Sequence, residues 1–418
     1  MDEHKDKVNR ANKGRVIDLG PALEEKERAE RLEAKRLRKE ERPPLGRRVL
    51  SLVLVLAIVL AAVGLTVYWD RLNFDALRRT FSYFGTQQSE EGQTEAFTYD
   101  RGTGSSFAAL GKYLAFASNK EAVLYDYSGK AVFDQEIHMD APALDTGGSA
   151  AVVYDVGGRD LLVFGEKGEK LSLELDEGLS LYDASLNRSD WLAVTAQKKS
   201  QKGCVTVYNA DMEKVFEFDS SSRYVMNAYV TEDCRYMVAQ TLEQDNGTFV
   251  SQMVVYRLDS EEQYASFPVE GALVLEIGSV GGQTLCIAED RAVLATAEGK
   301  ISATYNYEMP YLRDFSCEGD GFAVLAMNRH RAGTSGKLVT LNTSGEVLGE
   351  LDLSEEILNL SAAGRYVAVL YADRLVVYNK DLTEYVSCDR TEAAESVCMR
   401  SDGSVWLMTS DEISLLLP

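Results

Sequence analysis

The sequence predicts an all-β fold, a β-propeller, carried behind one transmembrane helix and a charged cytoplasmic helix. Three observations predict it. A two-strand unit recurs along most of the chain, a 21-residue uncharged apolar run precedes the repeats, and the charge changes sign across that run. The chain has 418 residues, with 44 Lys/Arg, 66 Asp/Glu and a formal charge of −22. Its 45% hydrophobic content supports a substantial core and excludes wholesale disorder.

The charge is best read in segments. Residues 1–48 carry 15 Lys/Arg and 11 Asp/Glu, a net of +4. Residues 70–418 carry 29 and 55, a net of −26. Phosphate binding needs clustered cations, so the acidic part is not expected to take nucleic acid as a partner. Within the arm, Pro21 to Arg42 is rich in helix formers, with Glu24/Arg28 and Glu27/Arg31 one turn apart. Leu23, Leu32 and Leu37 do not sustain a heptad, so a solvated single helix is expected rather than a coiled coil. Pro43-Pro44 ends it. Val16-Ile17-Asp18-Leu19 is a short apolar island, and a partner docking there would make the arm a signalling element.

Val49 to Trp69 contains no charge over its 21 residues, enough helix to cross about 30 Å of hydrocarbon. Tyr68 and Trp69 suit the headgroup boundary. The 48-residue charged lead is too long for an ordinary cleaved signal, so residues 49–69 are read as a retained signal anchor. Eight Lys/Arg lie between Arg31 and Arg48, and three (Arg71, Arg78, Arg79) between Arg71 and Gln88. That excess places the N-terminus in the cytoplasm. The expected layout is a cytoplasmic arm over 1–48, an anchor over 49–69, a stalk over 70–94 and an extracytoplasmic domain over 95–418. The localisation that follows is a single-pass protein of the cell membrane, with its C-terminal domain in the envelope.

In the repeats, a strand ending in a bulky residue is followed by a polar turn and a second strand, as in AVLYDYSGKAVF (Ala122 to Phe133). The register residues are Tyr125, Phe164, Tyr208, Tyr256, Thr296, Leu341, Tyr378 and Leu417. Their spacings run from 37 to 48, matching four-strand blades of about 40–45 residues. A further strand precedes each unit, from YLAFAS at Tyr113 to VWLMTS at Val405, in eight copies. Such units bury both faces only by stacking, and a closed ring protects the end blades. The last unit stops after its third strand, and Glu95 to Tyr99 is placed to supply the fourth. Eight blades are favoured, with seven as the alternative. The strand-end aromatics are expected to pack between blades. Ser128-Gly129, Lys167-Gly168, Glu298-Gly299 and Ser344-Gly345 suit hairpin turns with positive φ.

This layout resembles the quinoprotein-like and WD40-like propellers. As a whole it also resembles an uncharacterised family of bacterial single-pass membrane proteins, domain-of-unknown-function family 5711. The resemblance implies a fold and a location but no activity. A per-blade tryptophan pattern is missing, since Trp191 and Trp406 are the only tryptophans after residue 69, and regular Gly-His and Trp-Asp pairs are missing too. No quinone or other cofactor is therefore expected.

Chemistry-bearing motifs are sparse. No Walker loop, G-x-S-x-G, H-E-x-x-H or EF-hand loop occurs. His138 and His330 lie far apart in sequence, which argues against a metal cluster or a Ser-His-Asp set. Cys286 is expected as a buried mid-strand residue, while Cys388 and Cys398 are ten apart and able to pair if geometry allows. Three long connections join second to third strands: Ala196 to Cys204, Leu242 to Ser251 and Met327 to Lys337. Two are basic, with Lys198, Lys199 and Lys202, and Arg329, Arg331 and Lys337, on an otherwise acidic domain. They form a candidate rim for an envelope protein or an anionic envelope polymer. The leading expectation is a non-enzymatic scaffold or sensor of the cell envelope. The alternative is an envelope enzyme with its site at the mouth of the propeller channel. Asp, Glu or His converging in the channel would favour catalysis, and an apolar or filled channel would favour docking.

Overall fold

The computed structural model describes residues 28–33, 35, 53–56, 59, 75, 79, 83, 89 and 92–418, apart from 246, 247, 390 and 392. The chain divides into Met1–Asn73 and Phe74–Pro418. In the first unit, residues 28–33 and 35 are helical, as expected for the arm. Residues 53–56 and 59 are also helical, while the rest of the 49–69 run lies outside the described residues. Among the described residues, no helix is long and apolar enough to cross a membrane. The Val16–Leu19 island and most of the 70–94 stalk also lie outside them.

The second unit is eight four-stranded antiparallel sheets. Seven run in simple chain order from the innermost strand outward. The innermost strands of blades 1 to 8 are Ser106–Leu110, Pro142–Thr146, Leu181–Leu186, Tyr224–Val230, Val274–Val280, Tyr311–Gly319, Asn359–Ala363 and Ser396–Met399. The eighth sheet takes its outer strand from the start of the domain. Phe97–Thr98 pairs antiparallel with Glu412–Leu416, with Phe97 opposite Ile413. The ring has eight blades, not seven, and is closed by both ends of the domain.

The second strand of each blade shows why the units stack. In Tyr113–Ala117 all five residues are buried, since alternate side chains serve opposite neighbours. Tyr113, Ala115 and Ala117 pack toward blade 2, and Leu114 packs with Trp406 and Ile413 of blade 8. Eight apolar clusters result, one at each blade interface. The eighth joins blade 8 to blade 1 through Phe97, Phe107, Trp406 and Leu415, so the ring has no apolar end face. Cys286 is wholly buried in one such cluster, as expected.

The register aromatics pack against the outer strand of the preceding blade. Phe164 stacks on Phe133 at 4.8 Å, Tyr256 lies 4.7 Å from Phe218, and Tyr125 lies 5.2 Å from Phe97. The third-to-fourth turns repeat one device. Asp126 Oδ1 accepts the N–H groups of Ser128 and Lys130, and Asn342 Oδ1 accepts those of Ser344 and Glu346. The positive φ falls on Gly129 (78°) and Gly345 (74°), but on Met212 (60°) and Leu382 (59°) in other blades. Met212 and Leu382 are buried in interblade clusters, where side-chain packing offsets backbone strain.

Cys388 and Cys398 do not pair. No disulfide joins any of the six cysteines, and Cys398 is buried deeply enough that its pKa is pushed up to about 12. The connection from Leu242 to Ser251 is not a loose loop either. Tyr236–Asp245 and Thr248–Arg257 extend as a long hairpin through it.

A candidate binding face at the channel mouth

Each blade exposes two sets of connections. First-to-second and third-to-fourth turns emerge on one face, here called the hairpin face. Second-to-third loops and blade-to-blade connections emerge on the other, the rim face. The N-terminal segment of the unit docks on the hairpin face. Buried Arg79 donates to the carbonyl of Asp402 at 2.9 Å, to Tyr385 Oη at 3.1 Å, and to the carbonyl of Pro418. Tyr83 meets Tyr127 edge-on at 5.4 Å and accepts a hydrogen bond from Arg400. Asp75 accepts from Tyr366 Oη at 3.2 Å.

The six predicted rim cations lie on the rim face, at the ends of blades 3 and 6, but they are not equivalent. Lys198 is held by Asp219 at 2.7 Å and by Glu217, partners that raise its pKa. Lys337 is clamped by Glu308 at 2.7 Å and by Glu350, also with a raised pKa. Lys202 sits 4.9 Å over the ring of Tyr224. Lys199, Arg329 and Arg331 are exposed, and no carboxylate among the described residues pairs with them. The free part of the predicted rim is therefore these three residues.

Sequence reasoning missed what lines the channel. In blades 3 to 6 the innermost strand carries a β-bulge at the same register position, between Leu181 and Asp183, Val225 and Asn227, Val274 and Glu276, and Leu312 and Asp314. The inserted residues are Tyr182, Met226, Leu275 and Arg313. A bulge breaks the pairing and re-aims side chains, and all four are exposed. The residue after each bulge is acidic or an amide.

Three acidic residues of the innermost strands, Asp145 of the unbulged blade 2 and Asp183 and Asp314 after bulges, have a local task. Innermost strands are edge strands, so their outward N–H groups need acceptors. Asp145 accepts from its own neighbour Thr146 N and, in the next blade, from Leu186 N, each at 2.8 Å. Asp183 does the same with Ala184 N and Ala228 N, and Asp314 with Phe315 N and Leu360 N. Ser316, Asn359 and Ser361 continue the series onto Ala362, Val397 and Met399. A girdle of side-chain acceptors thus joins consecutive blades.

The carboxylates also converge. Asp145, Asp183, Glu232, Glu276 and Glu318 line one cavity of about 340 Å³, with Tyr154, Tyr229 and Cys317. Its one lining cation, Arg188, is bound to Asp320 at 2.9 Å. Enclosure by the ring raises the pKa of Asp145 to about 7, of Asp183 to about 6 and of Glu276 to about 8, with neighbouring carboxylates adding to the rise at Asp145 and Glu276. Desolvation by the channel wall raises Glu318 as well, although its side chain is exposed. Among the described residues, no group of His, Cys, Asp and Glu is arranged to hold a metal ion.

The sequence matches the family of unknown function DUF5711 over residues 86–416. The chain belongs to this family. As a DUF5711 member it matches no curated protein. Solved structures resemble it at the level of fold. The C-terminal WD40 domain of Sif2 aligns with a TM-score of 0.54 and 12% identity, covering 78% of this chain and 98% of that one. BamB from Moraxella catarrhalis aligns with a TM-score of 0.50 and 12% identity, covering 77% and 98%. A computationally designed protein, Ika8, aligns with a TM-score of 0.54 and 12% identity, covering 79% and 97%. At this identity the likeness carries the propeller and nothing of the activity.

Proposed function

We propose that this DUF5711 chain is a membrane-anchored, extracytoplasmic propeller that acts as a scaffold or sensor by binding an envelope partner on its rim face. The observation that carries this reading is the asymmetry of the two faces. On the hairpin face Asp75, Arg79 and Tyr83 pack on blades 7, 8 and 1, while the rim face offers exposed apolar side chains and cations unpaired among the described residues. The anchor is read from the uncharged run at 49–69. Its described part is helical and exposes Val53, Leu54, Val55, Leu56 and Val59, which supports a lipid-facing role. BamB and Sif2 share the propeller and are consistent with a binding role.

A second reading is favoured by the channel. Carboxylates with raised pKa values in a cleft suit acid–base chemistry, and Glu276 at about 8 would stay protonated near neutrality as a proton donor. That reading makes the chain an envelope enzyme with its site in the channel.

Crosslinking in intact cells tests the binding reading. Exposed Ser128, changed to Cys, reports location through an impermeant maleimide. A partner captured by the wild type and lost on reversing Lys199, Arg329 and Arg331 to Glu supports it. Unlabelled Cys at 128, or capture indifferent to the reversal, removes it.

A further inference from the structure

Exposed apolar side chains on the rim face gather at the starts of the innermost strands. Tyr182, Met226 and Leu275 are the bulged residues of blades 3, 4 and 5, at 38%, 44% and 45% exposure. Tyr224, Leu273 and Tyr311 stand at the same level of blades 4, 5 and 6 and are as exposed. In blades 1, 2, 7 and 8 the innermost strands pair without a bulge. The result is an apolar half-collar over one side of the channel mouth. Four consecutive blades repeating the same irregularity, each placing a side chain in water, is not what interblade packing requires.

The charge directly beneath the collar is one-sided. The residues following the bulges include Asp183, Glu276 and Asp314, and deeper in the cavity, toward the hairpin face, lie Asp145, Glu232 and Glu318. Arg313, the bulged residue of blade 6, faces Glu356 at 3.5 Å, and Arg188 is taken by Asp320. No cation among the described lining residues is free to neutralise the cavity. Asp145, Asp183 and Asp314 are each engaged with two backbone N–H groups, but among the described residues Glu276 has only its own neighbour Ile277 N. The elevated pKa of Glu276 fits a carboxyl that lacks a cationic partner.

We infer that the half-collar of Tyr182, Met226 and Leu275 docks a partner protein segment that presents one Lys or Arg between apolar residues, its cation entering the channel to meet Glu276 beside Asp183. The apolar flanks cover the collar, and the cation replaces the proton held by Glu276. Burying the collar supplies affinity, and the charge supplies selection. This rests on the binding reading above but uses different residues from the rim cations, so the two fail separately.

The test is a random heptapeptide display selected against the full-length protein in detergent. The expected result is enrichment of Lys or Arg with apolar residues on both sides. The best such peptide should lose at least about tenfold in affinity when its Arg is replaced by citrulline, which keeps the shape and removes the charge. Leu275→Ser and Glu276→Gln should each weaken it similarly, and Lys199→Glu should not. The citrulline comparison needs no variant, so it stands if a substitution perturbs folding. Enrichment of acidic peptides lost in Arg329→Glu would overturn the inference while leaving the binding reading intact. Equal binding of Arg and citrulline peptides, or no enrichment, would also overturn it, and the crosslinking experiment would then judge the binding reading alone.

Discussion

Arg400 of blade 8 donates from Nε to the carbonyl of Gly111 in blade 1 at 3.0 Å. The same guanidinium reaches Tyr83 Oη, and Ser404 Oγ at 2.9 Å, and lies 3.5 Å from Asp402. One buried side chain therefore ties the last blade, the first blade and the incoming N-terminal segment together. Arg400→Met removes these donors and leaves Asp402 without its cation. The expected loss is about 3 kcal/mol, read as a lower denaturation midpoint in urea with an unchanged slope.

Ring closure also depends on a glycine in another blade. A Cβ on Gly129 would lie 2.4 Å from Phe97 Cγ, and its φ of 78° disfavours any side chain. Gly129→Ala is expected to cost about 2 kcal/mol in the wild type. Phe97 Cβ would itself lie at 2.6 Å, so only a Phe97→Gly background removes the clash, and there the two losses should fall short of additivity. Thermal melts of the four proteins of this cycle check it.

The acceptor girdle predicts an ordering of substitutions. Asp145→Ala strands the N–H groups of Thr146 and Leu186, each worth about 1–3 kcal/mol when left unsatisfied. Asp145→Asn keeps one acceptor oxygen and should lose less. Amide exchange at Leu186 should accelerate in the Ala variant and change little in the Asn variant. Equal acceleration in both would remove the stapling role.

The channel carboxyls give stability a pH dependence of definite sign. Their pKa values are higher in the folded chain, at about 8 for Glu276 and about 7 for Asp145 against 4.5 and 3.8 for ordinary carboxyls. Folding therefore takes up protons, and the stabilising contribution is complete below pH 4 and lost as pH rises through 7 to 8. The melting temperature should rise by a few degrees, roughly 2–4 °C per kcal/mol, as pH falls from 8 to 5. Glu276→Gln should flatten the upper part of that curve.

The strand plan was legible because its signals are local and repeated. The Tyr125, Phe164 and Tyr256 register and the Ser128-Gly129 turns mark each hairpin without any long-range contact. Closure was legible from a missing strand after Ile413 and a spare one near Phe97. The bulges were not, because YVMNAYV and LYDASL read as ordinary strands and only register against Thr241 and Ala196 shows the extra residue. The girdle was hidden for the same reason, since Asp145 and Leu186 are 41 residues apart. Lys198 and Lys337 looked free because their carboxylates lie elsewhere in the chain: Glu217 and Asp219 on the outer strand of blade 3 for Lys198, and Glu350 on the outer strand of blade 6 with Glu308 of the connection between blades 5 and 6 for Lys337.

Photocrosslinking at Leu275 reads out whether a partner seats on the rim-face mouth. A benzophenone amino acid is placed at Leu275, on the rim-face mouth, and separately at exposed Val215 on the outer strand Lys214–Ser220 of blade 3. On illumination of intact cells, a discrete adduct is expected from position 275 and none from 215. Adducts of equal yield at both positions, or at 215 alone, would show that no partner docks at the rim-face mouth.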